Sequence, residues 1–526
     1  EAEARAGAAG RALAILDEAL ATAERAGYRA FEAELHRVRG DMLLKCDSAN
    51  PAPAEEALLN AIAVARQQAT RSFELRAALS LAKLYQSTAR SAGAYALLSP
   101  ALEGFSSTPE MPEIVEAQTL LAALAETEEV KAAEAQRQRR LHLQTAYGQA
   151  MMMFRGFASE ETKAAFARAT ELSAKIDDFT ERFAAAHGHW TLSLVRGELR
   201  SARELASAFL KQAEDAGRLV EAGVARRGLA LGCYFAGDFI EARSHCEQAL
   251  ALCDLERDRE TRERFSDDTG TLAMSVLAVT MWQLGEVDRA RELIDEANRC
   301  ARELGHAPSM AHPLNWLSYL NLLRGDAPAT LGPAKALAEL SRKHGMPFWA
   351  RRAEFYAAWA RGRLHDAASG AEDLTRALRA AADHGGAGDA WFVTVLVAEL
   401  EAKTLGAESA LARIDEAMAL ARQVETRCDL SFPHLLRGEI LLKRNPSDPS
   451  ADEAFRTALE IAKQQGARSW VLRAALSLAK LYQSTDRPTD GHAVLAPALQ
   501  GFSPTSEMPQ IAEAQALLAA AAGVEL

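Results

Sequence analysis

The sequence predicts an all-α solenoid built from helix–turn–helix repeats, and three observations carry that prediction. The first is composition: Ala, Leu, Glu and Arg dominate a chain of 526 residues that is 49% apolar, 25% charged and only 6% aromatic. With β-branched residues sparse, this balance favours helix almost everywhere. The second is spacing. Glycines in "FRGF", "VRGEL", "FAGDF", "QLGEV", "LRGDA", "ARGRL" and "TLGAE" fall at Gly156, Gly197, Gly237, Gly285, Gly325, Gly362 and Gly406, a period of about 40 residues between amphipathic stretches. The third is duplication: "LRAALSLAKLYQST" at Leu75–Thr88 recurs at Leu472–Thr485.

The duplication sets the domain plan. "RALAILDEALATA" from Arg11 answers "SALARIDEAMALA" from Ser409, and Glu1 aligns with Glu399. Residues 1–126 are therefore expected to be the C-terminal part of a first module with its capping helix. Residues 127–140 form a charged helical junction, and 141–526 a full second module that ends in its own cap. The chain opens "EAEARAGAAG", without an initiator Met or a signal-peptide pattern, and reads as a piece of a longer protein.

Each element follows from local chemistry. Glycine lets the chain leave a helix at low steric cost, and an acidic residue or Ser suits the next helix start. "GFSSTPEMP" and "GFSPTSEMP" are expected as non-helical corners. The helices that follow them cover the last apolar face of each array. The junction "TEEVKAAEAQRQRRLHLQTAYGQAMMMF" is expected as one long helix. "PSMAHPLNWLSYLNLLRGDAPATLGP" (Pro308–Pro333) fits the repeat poorly, so its second helix is expected to start after Pro328.

Small residues define the repeat type. Gly285 has Ala278 before it and Ala290 and Ala297 after it, and Gly237 has Ala230, Ala242 and Ala249. In the duplicated end Asp486 takes the turn, with Ala479 and Tyr482 before it and Gly491 and Ala498 after it. These spacings match the tetratricopeptide pattern, which implies a right-handed superhelix with its first helices on the concave face. The segments "PALEGFSSTPEMPEI", "EAQTLLAAL", "AEAQRQRRLHLQTAYGQAMMM", "RGELRSARELA" and "GDFIEARSHCEQALAL" extend the likeness across essentially the whole chain. They resemble a group of bacterial signalling proteins in which a class III adenylate cyclase-like domain and a P-loop ATPase domain (STAND-like) precede such a helical region. The resemblance implies a non-enzymatic sensing or regulatory arm. None of the family's cyclase or ATPase residues has a counterpart here.

Chemistry is otherwise sparse. There is no Walker A loop, H-E-x-x-H, zinc-ribbon cysteine pairing or G-x-S-x-G elbow, and no catalytic, cofactor or metal residue is assigned. His187 and His189 lie two apart, wrong for one helix face, and His306, His312 and His245 are read as packing or surface residues. The pairs Glu160–Glu161, Asp177–Asp178 and Asp267–Asp268 sit where helices should begin, and are read as caps. Trp190, Trp282, Trp316, Trp349, Trp359 and Trp391 fall at or near first helices, most as core wedges. The candidate groove is "PFWARRAEFYAAWARGR", with Trp349, Arg351, Arg352, Tyr356, Trp359 and Arg361.

The net charge of −12 (60 basic, 72 acidic residues) argues against a nucleic-acid partner, and no apolar run reaches membrane-span length. Six cysteines without a Cys-x-x-Cys pair suit a reduced, cytoplasmic setting. The expected partner is a protein, a peptide, or the protein's own upstream domains. The alternative to a regulatory arm is a free-standing adaptor that binds an extended peptide or a partner helix.

Overall fold

The computed structural model describes residues 9–26, 29–106, 111–155, 159–174, 176, 178–254, 257, 268–382 and 388–521. Among them are 25 helices and no strand, in two compact units, Glu1–Arg140 and Leu141–Leu526. No helix among the described residues is long and apolar enough to cross a membrane.

In the first unit, α1 (Ala9–Ala26), α2 (Glu32–Cys46), α3 (Ala52–Gln67), α4 (Arg71–Ser87), α5 (Ser91–Leu102) and α6 (Pro112–Ala125) pack in sequence. Leu75, Ala78, Leu81 and Ala82 of α4 meet Leu58 and Ile62 of α3 and Ile114 of α6 in one core. Helix α6 stops at Ala125, and α7 (Glu128–Arg155) starts afresh as the long junction helix. The break belongs to Thr127, whose hydroxyl donates to Leu124 O (2.7 Å) and accepts from Val130 N (3.4 Å).

After α8 (Glu160–Ser173), the second unit alternates inner and outer helices. The pairs are α9 (Phe179–Val195) and α10 (Leu199–Asp215), α11 (Leu219–Ala236) and α12 (Phe239–Leu252), α13 (Thr269–Gln283) and α14 (Val287–Leu304), α15 (Ala307–Leu323) and α16 (Ala327–His344). Then come α17 (Pro347–Leu364) and α18 (Ala367–Ala382), α19 (Ala390–Thr404) and α20 (Ala407–Gln423), α21 (Ser431–Arg444) and α22 (Pro449–Gln464), and α23 (Arg468–Ser484) and α24 (Pro488–Leu499). Helix α25 (Gln510–Ala521) closes the array, giving a tetratricopeptide-like α-solenoid. Capping residues sit where the sequence placed acids: Asp178 accepts from Thr180 N and Glu181 N, and Asp268 from Thr271 N. Glu160 and Glu161 follow the cap Ser159. Asp177, Asp267 and the Gly156 turn lie outside the described residues.

Two expectations need correction. Gly285, like Gly197, Gly237, Gly325 and Gly406, holds a left-handed turn (φ 88°), but Gly362 lies inside α17. Its role is packing: a Cβ added at Gly370 would meet Gly362 Cα at 2.5 Å, so α17 and α18 cross backbone to backbone. The second helix of the Pro308–Pro333 segment starts at Ala327 rather than after Pro328. A proline in the first turn forfeits no intrahelical bond, and Asp326 caps the helix by accepting from Ala329 N (2.9 Å).

Outer helix α14 is amphipathic. Val287, Ala290, Leu293, Ile294, Ala297 and Ala301 face inward, while Arg299 pairs outward with Glu296 and Glu303. Inner helix α13, "TGTLAMSVLAVTMWQ", carries no charge and buries 13 of its 15 residues. A helix apolar all round needs packing partners on every side. Here the second unit supplies them by closing on itself. Gly197 O accepts from Glu425 N (3.3 Å), Phe235 O from Arg427 N (2.6 Å), Trp282 O from the Ser469 hydroxyl, and Leu323 O from Arg473 Nη1 (2.7 Å). Phe235, Trp282 and Leu323 present carbonyls from the last turn of a helix, which no intrahelical donor serves, and Gly197 presents one from the turn after α9.

Behind this seam Trp282 and Trp470 pack edge to face at 5.6 Å. Asp429, 1% exposed, accepts from Gln283 Nε2 (3.0 Å), the Tyr319 hydroxyl and Cys428 Sγ (3.3 Å). Burial raises its pKa, although these three donors pull it back.

Because the folded pKa lies above the usual carboxylate value, the Asp429 contribution to stability falls as pH rises from about 3.8 through the raised folded value. Thermal melts across that window should show Asp429→Asn gaining on the wild type as pH rises. Asp429→Ala should lose about 1–3 kcal/mol for each donor left without an acceptor. In urea titrations, Gly370→Ala should lower the unfolding free energy by about 1–3 kcal/mol. Gly332→Ala, mid-helix with open space around it, should be neutral or stabilising by up to about 1 kcal/mol in the same urea titration.

Candidate functional site

The inner helices of the second unit fill most of the space they enclose, but leave a cavity of about 150 Å³. Its floor comes from buried positions: Trp190 on α9, Arg227 and Leu231 on α11, Leu272 on α13, Trp316 on α15 and Trp349 on α17. Its mouth is formed by partly exposed Thr191, Leu194, Pro308, His312 and Phe348. The loop residues Gly388, Asp389 and Thr426, which lead into α19 and α21, complete the wall.

Helical spacing explains why these side chains converge. His187, Trp190, Thr191 and Leu194 lie on one face of α9, and Arg227, Leu231 and Phe235 on one face of α11. Arg227 is wholly buried, with Nη2 2.9 Å from His187 Nε2. A guanidinium only donates, so in this bond His187 Nε2 is the acceptor. The His187 and Trp190 rings stand 5.4 Å apart, and His312 meets Trp349 edge to face at 4.6 Å.

The second arginine is fixed by a network. Arg352 Nε donates to Asn315 Oδ1 (2.7 Å), Nη2 to the Tyr356 hydroxyl (3.2 Å) and Nη1 to Asp389. The Tyr356 hydroxyl also donates to Asn315 Oδ1 (3.2 Å). Burial opposes the Arg352 charge, yet Asp389 and Tyr356 outweigh it and raise the pKa. Past Arg352 a void of about 30 Å³ leads to Tyr319 and Asp429. The cavity thus adjoins the polar cluster that closes the coil.

Of the sequence-derived groove residues, Trp349 and Arg352 line the cavity, and Tyr356 lies directly behind it. Trp359 is a core residue, 1% exposed, whose Nε1 donates to Glu399 (2.8 Å). Arg361 turns outward to Glu354 and Asp373, and Arg351 is not among the lining residues. Helical phase takes 351 and 361 off the face shared by 349, 352 and 356, whereas 359 keeps the phase of 352 but lies two turns further along α17. Trp190 and Trp316 also line the cavity, whereas Trp282 and Trp391 pack in the core.

Arg227, His187, Asn315 and Asp389 were not singled out as groove residues from sequence. One signal was available: Val224, Arg227, Leu231 and Tyr234 share a buried stripe of α11, and a charge on an apolar stripe marks a special position. Among the described residues no group of three or more His, Cys, Asp or Glu side chains could hold a metal ion.

No family model matches the chain, and no curated protein matches it. Among solved structures, a Rap protein complexed with competence and sporulation factor is 13% identical, with a TM-score of 0.40 over 81% of this chain and 99% of that one. Yeast Tom70 is 13% identical, with a TM-score of 0.32 over 98% of this chain and 96% of its own. Neither likeness bears on the site.

Arg352→Ala should cost about 1–3 kcal/mol in chemical unfolding, because Asn315 and the Tyr356 hydroxyl lose a buried partner. Arg361→Ala, on the surface, should cost less than about 1 kcal/mol.

Proposed function

We propose that the chain is a ligand-responsive scaffold and serves as the regulatory arm of a multidomain signalling protein with cyclase-like and P-loop ATPase domains. One observation carries the ligand-responsive part. The cavity is walled by α9 and α11 from one side of the closed coil and by the loops entering α19 and α21 from the other. A molecule seated there touches both sides of the seam at once. It binds the closed coil better than an opened one, and so shifts the balance between them. The link from cavity to seam runs through Arg352, Asp389 and the void that reaches Asp429.

The regulatory-arm context is supported by the motif resemblance, above all by the twin end motif "LRAALSLAKLYQST" with its "GFS" corner. That corner is built the same way twice. Arg71 bonds Glu103 O and lies over Phe105, and Arg468 bonds Gln500 O and lies over Phe502. Lys83–Glu116 recurs as Lys480–Glu513, both at 2.6 Å. A motif conserved in geometry between the two copies is the part of the chain on which the resemblance rests most firmly.

The reading frame upstream of Glu1 tests the context directly. A P-loop domain in frame, with or without a cyclase domain before it, is the expected finding. A start codon close to Glu1 would overturn the regulatory-arm reading and leave a free-standing adaptor.

A further inference from the structure

We propose that the cavity of the second unit binds a small uncharged aromatic carbonyl compound, with its ring among Trp190, Trp316 and Trp349 and its carbonyl oxygen on the side-chain N–H of Asn315. This rests on the reading of the chain as a ligand-responsive scaffold.

Unmet hydrogen-bond donors carry the assignment. Asn315 is 3% exposed and lines the cavity. Its Oδ1 accepts from Arg352 Nε (2.7 Å) and from the Tyr356 hydroxyl (3.2 Å). Arg352 has no acceptor to offer, so the amide is locked in this orientation, with Nδ2 on the side away from Arg352 Nε. Among the described residues Nδ2 meets no acceptor. The indole N–H groups of Trp316 and Trp349, whose rings also line the cavity, meet none either. Those of Trp190, Trp282 and Trp470 are unpartnered too, but they are sealed within the packing, out of a ligand's reach. A donor held out of water without an acceptor is unfavourable, and a bound acceptor removes that penalty.

The existing ion pairing makes the ligand uncharged. Arg352 is paired with Asp389, and Arg227 Nη2 is engaged with His187 Nε2. An ionic ligand would have to displace one of these partners after giving up its own hydration. A neutral carbonyl needs only the open donors.

Size and shape set the rest. A cavity of about 150 Å³ takes one benzene-sized ring, and the three indoles present faces and edges suited to a flat apolar group. Inward, the space narrows to the void of about 30 Å³ beside Tyr319 and Asp429, room for a water but not for a further side chain. The occupant is therefore a compact molecule rather than an extended strand.

The test is calorimetric titration of the whole chain with acetophenone, with benzoate, and with α-methylstyrene, the hydrocarbon of the same shape in which C=CH2 replaces C=O. Acetophenone should bind with a Kd between about 10 μM and 1 mM, the range open to a ligand of about nine non-hydrogen atoms. Asn315→Asp keeps an acceptor for Arg352 but puts a second acceptor where the donor stood. It should weaken acetophenone about tenfold or more and change α-methylstyrene by less than about threefold. Leu194→Trp, which fills the partly exposed mouth, should abolish binding of both while leaving the melting midpoint in place. If Asn315→Asp fails to fold, the 13C resonance of carbonyl-labelled acetophenone on the wild-type chain decides: a hydrogen bond moves it downfield of its position in hexane. Equal weakening of ketone and hydrocarbon, or an unmoved resonance, would overturn the Asn315 assignment and leave the cavity a ligand site. Benzoate binding tenfold tighter than acetophenone would overturn the uncharged class, and binding that survives Leu194→Trp would overturn the location. Absence of binding by every probe would sink both this inference and the cavity as the sensing site.

Discussion

The second unit depends on one set of interactions: carbonyls at the C-terminal ends of its early inner helices accept from donors late in the chain. A helix leaves its final C=O groups without intrahelical partners. In most solenoids the turn or water serves them. Here Gly197, Phe235, Trp282 and Leu323 present carbonyls that accept from residues far along the chain, Ser469 being 187 residues from Trp282 and Arg473 being 150 from Leu323, with Gly285 N of the local turn sharing Trp282 O. These bonds hold the two ends of the array together. They also explain why helices such as α13 can afford to be apolar on every face.

Closure changes what the fold can do. An open superhelix offers a long concave groove, but a closed one has an interior. That interior is a core, with Trp282 against Trp470 and Tyr319 against Phe392 at 5.7 Å. Charges that enter it are managed. Asp429 receives three donors, and Arg352 is held by an acid, an amide and a phenol. The remaining cavity lies where the loops entering α19 and α21 face α9 and α11, so the cavity wall and the closure share residues.

Duplication supplied the material. The twin copies keep not only the helix pattern but also their internal contacts: Gly40 faces Leu58 as Gly438 faces Phe455, each too close for a Cβ. Arg90 lies over Tyr85 at 4.0 Å as Arg487 lies over Tyr482 at 4.3 Å. Interactions within a repeat are copied along with its sequence. In the second unit this end also packs against α13 and α15, through Ser469 and Arg473.

Sequence by itself determined the helices, the caps at Asp178 and Asp268, most turns, and the repeat of the end motif, because each depends on residues within one or two helical turns of one another. It misplaced the turn at Gly362, since a glycine in a turn and a glycine at a helix crossing look the same until the neighbour is known. It grouped Trp349 and Arg352, which line the cavity, with Trp359 and Arg361, which do not, because composition within one helix does not say which stretch of it meets which partner. Tertiary structure alone decided that the coil closes, that Arg227 and His187 meet, and that a cavity rather than a groove remains. Those features join residues from 40 to 187 positions apart, and no local periodicity encodes such a contact.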